Sequence, residues 1–296
     1  MSNNTFMPAT ESTENAGRKP CLLEMQELPS PEGFEEAAGP LLYKMTNDAM
    51  FHIVFEACPE ALKAFTGALL HLHPSEIISI EVTNPIVYDF SIYSKTFVLN
   101  LKILLNGSSV LNIELQMESL SFWKERSLAY LCRAFDNLNR GGQYLNIKPA
   151  IHVGILDFHI FPDDTSFYST YYLLNELTHK KYSDNLQLSV LQLKQAANAT
   201  EEDKAWHLDL WARFFKTQTW EGIHMIAERD SCITKAAQTL YRASADERIR
   251  SLCEGREEGE KTQRTIRLIH QMELQQKDNE IARLRAELKA LKQQEK

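Results

Sequence analysis

The sequence lacks the features that mark several protein classes. Its 296 residues include only 11 glycines and 10 prolines, too few for a low-complexity chain. No uninterrupted apolar run approaches the roughly 20 residues that a membrane-spanning helix needs, and the N-terminal segment MSNNTFMPATESTENAGRKP contains no apolar signal sequence. With 44% hydrophobic residues, the chain is long enough to bury the core of one large or two small domains. We therefore expect a folded protein without a membrane partner.

Cysteine is scarce and scattered along the chain. The five cysteines are Cys21, Cys58, Cys132, Cys232 and Cys253. An odd number without close pairs gives no disulfide framework and favours a reducing compartment, so we expect a cytoplasmic protein.

Positive charge is outnumbered, with 32 lysines and arginines against 40 acidic residues and a net charge of -8. This balance argues against a general polyanion binder, so any DNA contact requires a local basic patch. The sequence has no glycine-rich phosphate loop and no nucleophile elbow. His71 and His73 with Cys58 begin a zinc pattern, but the rest of a four-ligand set is missing, and we interpret them as helix-end residues.

Composition and periodicity divide the chain into four parts. Residues 1–40, rich in Ser, Asn, Glu, Pro and Gly, are interpreted as a flexible leader. Residues 41–200 alternate helical and strand patterns, residues 201–260 are helical, and residues 261–296 form a charged helical tail. A first helix is capped by Thr46, Asn47 or Asp48, and a second begins at Pro59.

The strand patterns predict an α/β fold, a mixed sheet flanked by helices. Strands are expected at 76–82, in a hairpin over 97–117, in the buried run 149–161 and in the segments SFYSTYYLLNEL and NLQLSVLQL. A helix over 121–140, ended by the RGG sequence, separates the hairpin from the buried run.

The tail carries a short heptad pattern. Ile281, Leu284, Leu288 and Leu291 keep the a and d spacing of a coiled coil. Upstream, the pattern breaks at Arg267 and His270. Two heptads leave two interpretations open, a charged helix exposed to solvent or a homo-oligomer formed through the C-terminal helix.

The hairpin FVLNLKILLNGSSVLNIELQM has one apolar and one polar face. A two-residue Asn106-Gly107 turn would mix the two faces. A three-residue loop over 105–107, with Gly107 in the left-handed region, pairs Leu104 with Ser108 and keeps the faces apart, so we expect this register.

In that register Asn100 opposes Asn112 and lies diagonally to Glu114. The two backbones are then about 7–8 Å apart, within bridging distance of a metal ion. Gln116 and Lys102 point to the same side. A half-exposed hairpin also has a polar face, so this pattern alone leaves a solvent-facing surface open.

Several stretches resemble, in order, one known family. They are MTNDAMFHIVF, LNLKILLNGSSVLNIELQM, FWKERSLAYLCRAF, IKPAIHVGILDFHIF and ADERIRSLCEGREEGEK. Together they resemble the Rpn recombination-promoting nucleases, PD-(D/E)XK nuclease family transposases, over residues 43–262. The resemblance implies a restriction-endonuclease-like core and a metal-dependent DNA endonuclease.

The resemblance also implies roles for individual residues. Glu114 matches the Mg²⁺-binding Glu and Gln116 the polar residue that positions the attacking water. Asn100 stands where the family has a metal-binding Asp. An amide keeps an oxygen ligand and loses its charge, so we expect weak Mg²⁺ binding and little cleavage. Asp48 and Asp89 are candidate replacement ligands; the alternatives are a helix cap for Asp48 and a solvated loop residue for Asp89.

Glu118 is a further candidate only if its strand continues past Met117. Basic residues after the hairpin are candidates for contacts to DNA phosphates. They are Lys102, Lys124, Arg126, Arg133 and Arg140. The three arginines recur every seven residues, so we expect them to form one ridge on the helix. A non-catalytic descendant that binds DNA or a protein, and a purely structural protein, are the alternatives to a nuclease.

Overall fold

The computed structural model describes residues 28, 30–83, 101–138 and 140–294, with backbone only at 290, 292 and 294. Within these ranges the strands are β1 (Ile80–Val82), β2 (Leu101–Leu105), β3 (Ser109–Gln116), β4 (Ala150–Leu156), β5 (Tyr168–Tyr171) and β6 (Leu186–Gln192). The α-helices are α1 (Asp48–Ala57), α2 (Pro59–Leu70), α3 (Trp123–Phe135), α4 (Glu201–Ala205), α5 (Leu208–Lys216), α6 (Trp220–Ala227), α7 (Ser231–Ala245) and α8 (Glu247–Gln294).

The six strands form one mixed sheet in the order β1-β2-β3-β4-β6-β5. The β1–β2, β2–β3 and β5–β6 pairs are antiparallel, whereas β3–β4 and β4–β6 are parallel. The helix α3 forms the crossover between the parallel strands β3 and β4, as such a pair requires. A mixed sheet flanked by helices confirms the predicted fold class.

Local sequence explains how the first helices begin. Asn47 caps α1, because its side-chain oxygen accepts hydrogen bonds from the backbone N–H groups of Ala49 and Met50. Pro59 occupies the first turn of α2, where its missing N–H costs nothing. Both starts agree with the sequence prediction, and α2 ends at His71 in the left-handed region, φ 53°.

Several predicted elements are shorter in the structure. The strand expected at 76–82 pairs only over β1, and the buried strand expected at 149–161 ends at Leu156. The helix expected at 121–140 ends at Phe135. Just beyond its end, Asn137 donates to the carbonyls of Ala134 and Lys148 and accepts from the N–H of Lys148. These bonds turn the chain towards β4 before the RGG sequence is reached.

The predicted hairpin register was wrong by two residues. Leu104 pairs with Val110 rather than Ser108, and Asn112 pairs with Lys102. The three-residue loop is residues 106–108, with Asn106 at φ 52° and Gly107 at φ 63°. The Asn106 side chain accepts from the N–H groups of residues 78 and 79 and donates to the carbonyl of residue 76. These hydrogen bonds place the loop one residue further along the chain than the apolar pattern predicted.

A shift of two residues leaves every side chain on its predicted face. The apolar face was therefore predicted correctly, although the partners were not. Asn100 and Asp89 lie outside the described residues.

The main core covers the apolar face of the sheet. It joins β2, β3 and β4 to α1, α2, α5, α7 and the first turns of α8, so residues of the 41–200 and 201–260 segments share it. At its centre Phe65 lies against Phe55, Trp211 and Phe215, with ring centroids 5.1–5.2 Å apart. Phe34, from the segment assigned to the leader, packs on Trp220 at 6.2 Å.

The opposite face of the sheet carries α3 and a smaller apolar cluster. Trp123, Leu156, Phe158 and Val190 form it. Part of the hairpin's polar face is thus covered: Asn112 is 3% exposed and Glu114 is 0% exposed, whereas Lys102 on the same face is exposed. The solvent-facing interpretation that the pattern left open is wrong for Asn112 and Glu114, because the helix that follows the hairpin folds back over them.

The contacts of the long helix α8 with the rest of the described chain lie in its first half. Ile249 and Cys253 are fully buried, and Asn47 donates to the carbonyl of Cys253. Further along, Arg264 and Arg267 pair with Glu118. In the part of the chain that the structure describes, no helix has both the length and the apolar character needed to cross a membrane.

Candidate functional site

Glu114 lies between the sheet and α3 and is paired with an arginine. It stands beside Gly154 of β4, and the Arg126 Nε donates to its Oε1 at 2.9 Å. The Arg126 Nη2 is also 2.9 Å from that oxygen. Because Arg126 lies one turn into the covering helix, docking of α3 on the sheet places a positive charge on the buried carboxylate.

The second oxygen of Glu114 faces a buried histidine. The His152 Nε2 is 3.6 Å from Oε2, and the His152 Nδ1 is 2.8 Å from the amide nitrogen of Asn112. An amide donor at Nδ1 leaves the imidazole proton on Nε2, directed at the carboxylate. Among the described residues, neither Glu114 Oε2 nor Asn112 Oδ1 receives a hydrogen bond. Asn112, His152 and Glu114 thus form a buried polar row that contains unsatisfied hydrogen-bond acceptors.

Aromatic rings enclose this polar row. A Cβ on Gly154 would lie 2.5 Å from the Cζ2 of Trp123, so glycine is required where the indole crosses β4. The Arg126 guanidinium lies 5.2 Å from the centre of the Tyr130 ring, and Arg133 lies 5.7 Å from it. Both cation–ring contacts lie within α3. The contacts that join α3 to β4 are those of the Trp123 and Tyr130 rings with His152, each at 6.1 Å.

Burial sets the protonation of the two central groups. Burial raises the pKa of Glu114 to about 7, although Arg126 acts in the opposite direction. Burial, with a smaller effect of Arg126, lowers the pKa of His152 to about 4. A neutral His152 beside a carboxyl group that titrates near neutrality is an arrangement typical of functional sites.

The other acidic and amide candidates have separate partners. Gln116 donates to the backbone carbonyl of Glu118 at 3.0 Å, and the Glu118 carboxylate is held by arginines of α8. Asp48 pairs with Arg256 at 3.2 Å, and burial raises its pKa. The cap of α1 is the neighbouring Asn47, so the cap interpretation of Asp48 was wrong.

The prediction of three arginines along one helix was wrong. Arg140 lies beyond the end of α3 at Phe135, so it cannot continue the row of Arg126 and Arg133. Lys124 lies with its Nζ 5.3 Å from the Phe161 ring. Lys102 is exposed on β2, opposite Asn112.

Sequence reasoning missed Arg126 as the partner of Glu114 and missed His152 altogether. His152 was visible as a polar residue inside the apolar run PAIHVGIL. Its pairing with Asn112 became apparent only when β4 aligned beside β3.

A family model for PD-(D/E)XK nuclease family transposases matches residues 45–267. The chain belongs to this family. The match covers about three quarters of the sequence and includes the sheet, the covering helix and the first part of α8. No curated protein and no solved structure matches the chain.

Nucleases of the PD-(D/E)XK family generally use divalent metals, and such ions bind through oxygen ligands that include one or two carboxylates. In the described ranges no group of three or more His, Cys, Asp or Glu side chains is placed to hold a metal. Glu114 supplies one carboxylate, and its charge is already offset by Arg126. The described donors therefore do not fit a tightly bound divalent ion.

The lowered pKa of His152 predicts a loss of stability in acid. The unfolded chain takes up a proton at this residue below about pH 6.5, whereas the folded chain resists it until about pH 4. The His152 contribution to the free energy of unfolding is therefore complete above pH 6.5 and is lost as pH falls through this window. Urea unfolding across this range should show a smaller loss for His152→Gln than for the native chain.

Glu114 acts in the opposite direction, since its raised pKa gives stability that is lost as pH rises through about 7. Glu114 is present in both the native chain and the His152→Gln variant. The difference between their two pH profiles therefore reports the His152 contribution. An NMR titration that finds His152 protonating at an ordinary pKa would contradict the prediction.

Proposed function

We propose that this chain acts on DNA as a weakened, metal-dependent endonuclease of the PD-(D/E)XK transposase family. The observation that supports weakening is the Glu114–Arg126 pair: the carboxylate that resembles the family's metal ligand is fully buried and neutralised by a guanidinium at 2.9 Å. The resemblance adds a second reason, because Asn100 stands where the family has an Asp.

Restoring the missing carboxylate tests this proposal. Asn100→Asp should raise Mg²⁺-dependent nicking of supercoiled DNA by about tenfold or more, since even groups behind metal ligands change affinity or activity by about 10–100-fold. The physical reason is that a second carboxylate adds the negative charge that Mg²⁺ requires before it gives up water.

Two controls accompany this assay. Asn100→Ala should not exceed the native level, and adding Glu114→Gln to Asn100→Asp should remove the gain. A Mg²⁺ titration followed by melting temperature reports binding without cleavage, because a ligand of the folded state raises the melting temperature. If Asn100→Asp neither nicks DNA nor binds Mg²⁺ at saturation, the assignment of this site is wrong.

A non-catalytic descendant that binds DNA is the second candidate, and the same ion pair favours it. It predicts salt-dependent DNA binding with no cleavage by any of these variants. The candidate phosphate contacts are Lys102, Lys124, Arg126, Arg133 and Arg140, of which Arg126 is engaged by Glu114. Replacing Lys124 should therefore weaken binding more than replacing Arg126.

We also propose that the protein is cytoplasmic and that it forms a homo-oligomer. Four described cysteines are free thiols, which supports a reducing cytoplasm. The exposed tail of α8 supports a homo-oligomer formed through the C-terminal helix.

A further inference from the structure

The last part of α8 exposes an apolar stripe. The helix runs from Glu247 to Gln294, about 70 Å at 1.5 Å per residue. Beyond Arg267 every side chain that the structure describes is exposed. Ile281, Leu284, Leu288 and Leu291 are nevertheless 45–62% exposed apolar residues. Because they recur at a regular spacing on one side of the helix, they form a continuous apolar stripe of the kind that marks an interaction surface.

The stripe has the geometry of a two-stranded seam. Ile281 and Leu288 occupy a positions, and Leu284 and Leu291 occupy d positions of two consecutive heptads. A β-branched residue or leucine at a with leucine at d is compatible with two parallel helices. A seam of this length is short, so the flanking charges decide whether and how two copies pair.

The flanking charges complement each other in only one orientation. In a parallel pair, each g residue faces the e residue five positions later in the partner. Glu280 then faces Arg285, and the same offset from Glu287 reaches residue 292, a lysine in the sequence. In an antiparallel pair g faces g and e faces e, which places glutamate against glutamate and cation against cation.

The upstream sequence limits the seam. One heptad earlier Lys277 occupies the d position, and Glu273 at g would face Asp278 at e of a parallel partner. A charge in the seam and a like-charge pair beside it both oppose association. Pairing is thus confined to the stretch from about Glu280 onward. At Glu287 the exposed intrahelical pair with Arg283, 3.4 Å, is of the kind that contributes little and is exchangeable.

We propose that the C-terminal stretch of α8 from Glu280 onward pairs in parallel and in register with the same stretch of a second copy of this chain. The inference rests on the homo-oligomer proposed above and adds the partner, the register and the orientation. Parallel pairing places the folded regions that precede the seam in the two chains at the same end of the assembly. Two copies of the Glu114 site are then tethered side by side.

The mass of the full chain in solution tests the seam. The native chain should sediment at twice the monomer mass, and Leu284→Asp should sediment as a monomer. Ala286→Asp adds the same charge at an f position, outside the seam, and should remain a dimer. A monomeric native chain, or a Leu284→Asp variant that still dimerises, would overturn the proposal. These measurements are independent of the nicking assay, so failure of either proposal is distinguishable.

Charge reversal tests the flanking pairs. The variant Glu280→Lys with Glu287→Lys, and the variant Arg285→Glu with Lys292→Glu, each place like charges across the seam. Each alone should dimerise about tenfold more weakly or worse, because the attractive pairs on both sides of the seam become repulsive. An equimolar mixture of the two should recover dimers that contain one chain of each kind. Unchanged dimerisation of either variant alone would contradict the charge argument.

Cysteine cross-linking tests the orientation. In parallel pairing, Leu291→Cys places two thiols across the seam, whereas in antiparallel pairing each would face the opposite end of the partner's stripe. Oxidation should therefore link Leu291→Cys chains and leave Gln293→Cys, an f-position control, at the level of the native chain. The native chain shows how much linking arises from its own exposed Cys132. Equal linking of the two variants, or none in either, would rule out a parallel register.

Discussion

Arg126→Met should destabilise the protein by about 3–5 kcal/mol near pH 8, the range found when one partner of a buried ion pair is removed. Glu114 has no exposed surface, and no other cation is placed on it by the described contacts. Below the native pKa of about 7 the cost should decrease, because without Arg126 the carboxyl group takes up a proton more readily. Urea unfolding near pH 8 and again below about pH 7 measures this difference in cost.

Arg133→Met is the matched control for this change. Arg133 lies over the same Tyr130 ring at 5.7 Å but is not paired with Glu114, so its loss should cost well under half as much. Adding Glu114→Gln to Arg126→Met should recover most of the stability, because no unpaired charge then remains buried. Equal costs for the two arginines, or no recovery in the double variant, would show that Arg126 acts through packing alone.

Phe65→Ala should cost about 3–5 kcal/mol, as removal of a buried aromatic side chain does. Phe65 is fully buried and connects α2 to α5 through its contacts with Trp211 and Phe215. Because the N-terminal helices, the sheet and the C-terminal helices share this core, the native chain and the variant should each unfold in a single transition. Calorimetry together with urea unfolding checks both the magnitude and the number of transitions.

Phe65→Leu keeps most of the buried volume and should cost clearly less than Phe65→Ala. If Phe65→Ala unfolded residues 201–260 but left the sheet region to unfold as it does in the native chain, the two segments would fold independently. That outcome would support the division at residue 200 indicated by composition. The shared core favours the single transition.

Much of the fold followed from local chemistry in the sequence. Asn47 and Pro59 marked the helix starts because a side-chain oxygen and a fixed φ act over a few residues. Strict alternation from Leu99 to Met117 defined the faces of the hairpin because the strand period is two. The apolar run before Asp157 predicted a buried strand, and the observed β4 lies between β3 and β6.

Errors arose where distant groups compete with a local pattern. The Asn106 side chain binds backbone groups of residues 76–79, and no periodicity reveals these hydrogen bonds. Asn137 turns the chain towards Lys148 and ends α3 before Arg140. In each case a side-chain hydrogen bond across 11 to 30 positions of sequence decided the boundary.

The sequence by itself determined the fold class, the faces of the hairpin and the position of Glu114 on the polar face, because these depend on periodicities of a few residues. Only the tertiary structure decided what surrounds Glu114. The docking of α3 brings Arg126 onto its carboxylate, and the parallel alignment of β3 and β4 places Asn112 beside His152. Side chains 12 to 40 positions apart meet through packing of whole elements, and the free energy of that packing is not written in any local pattern.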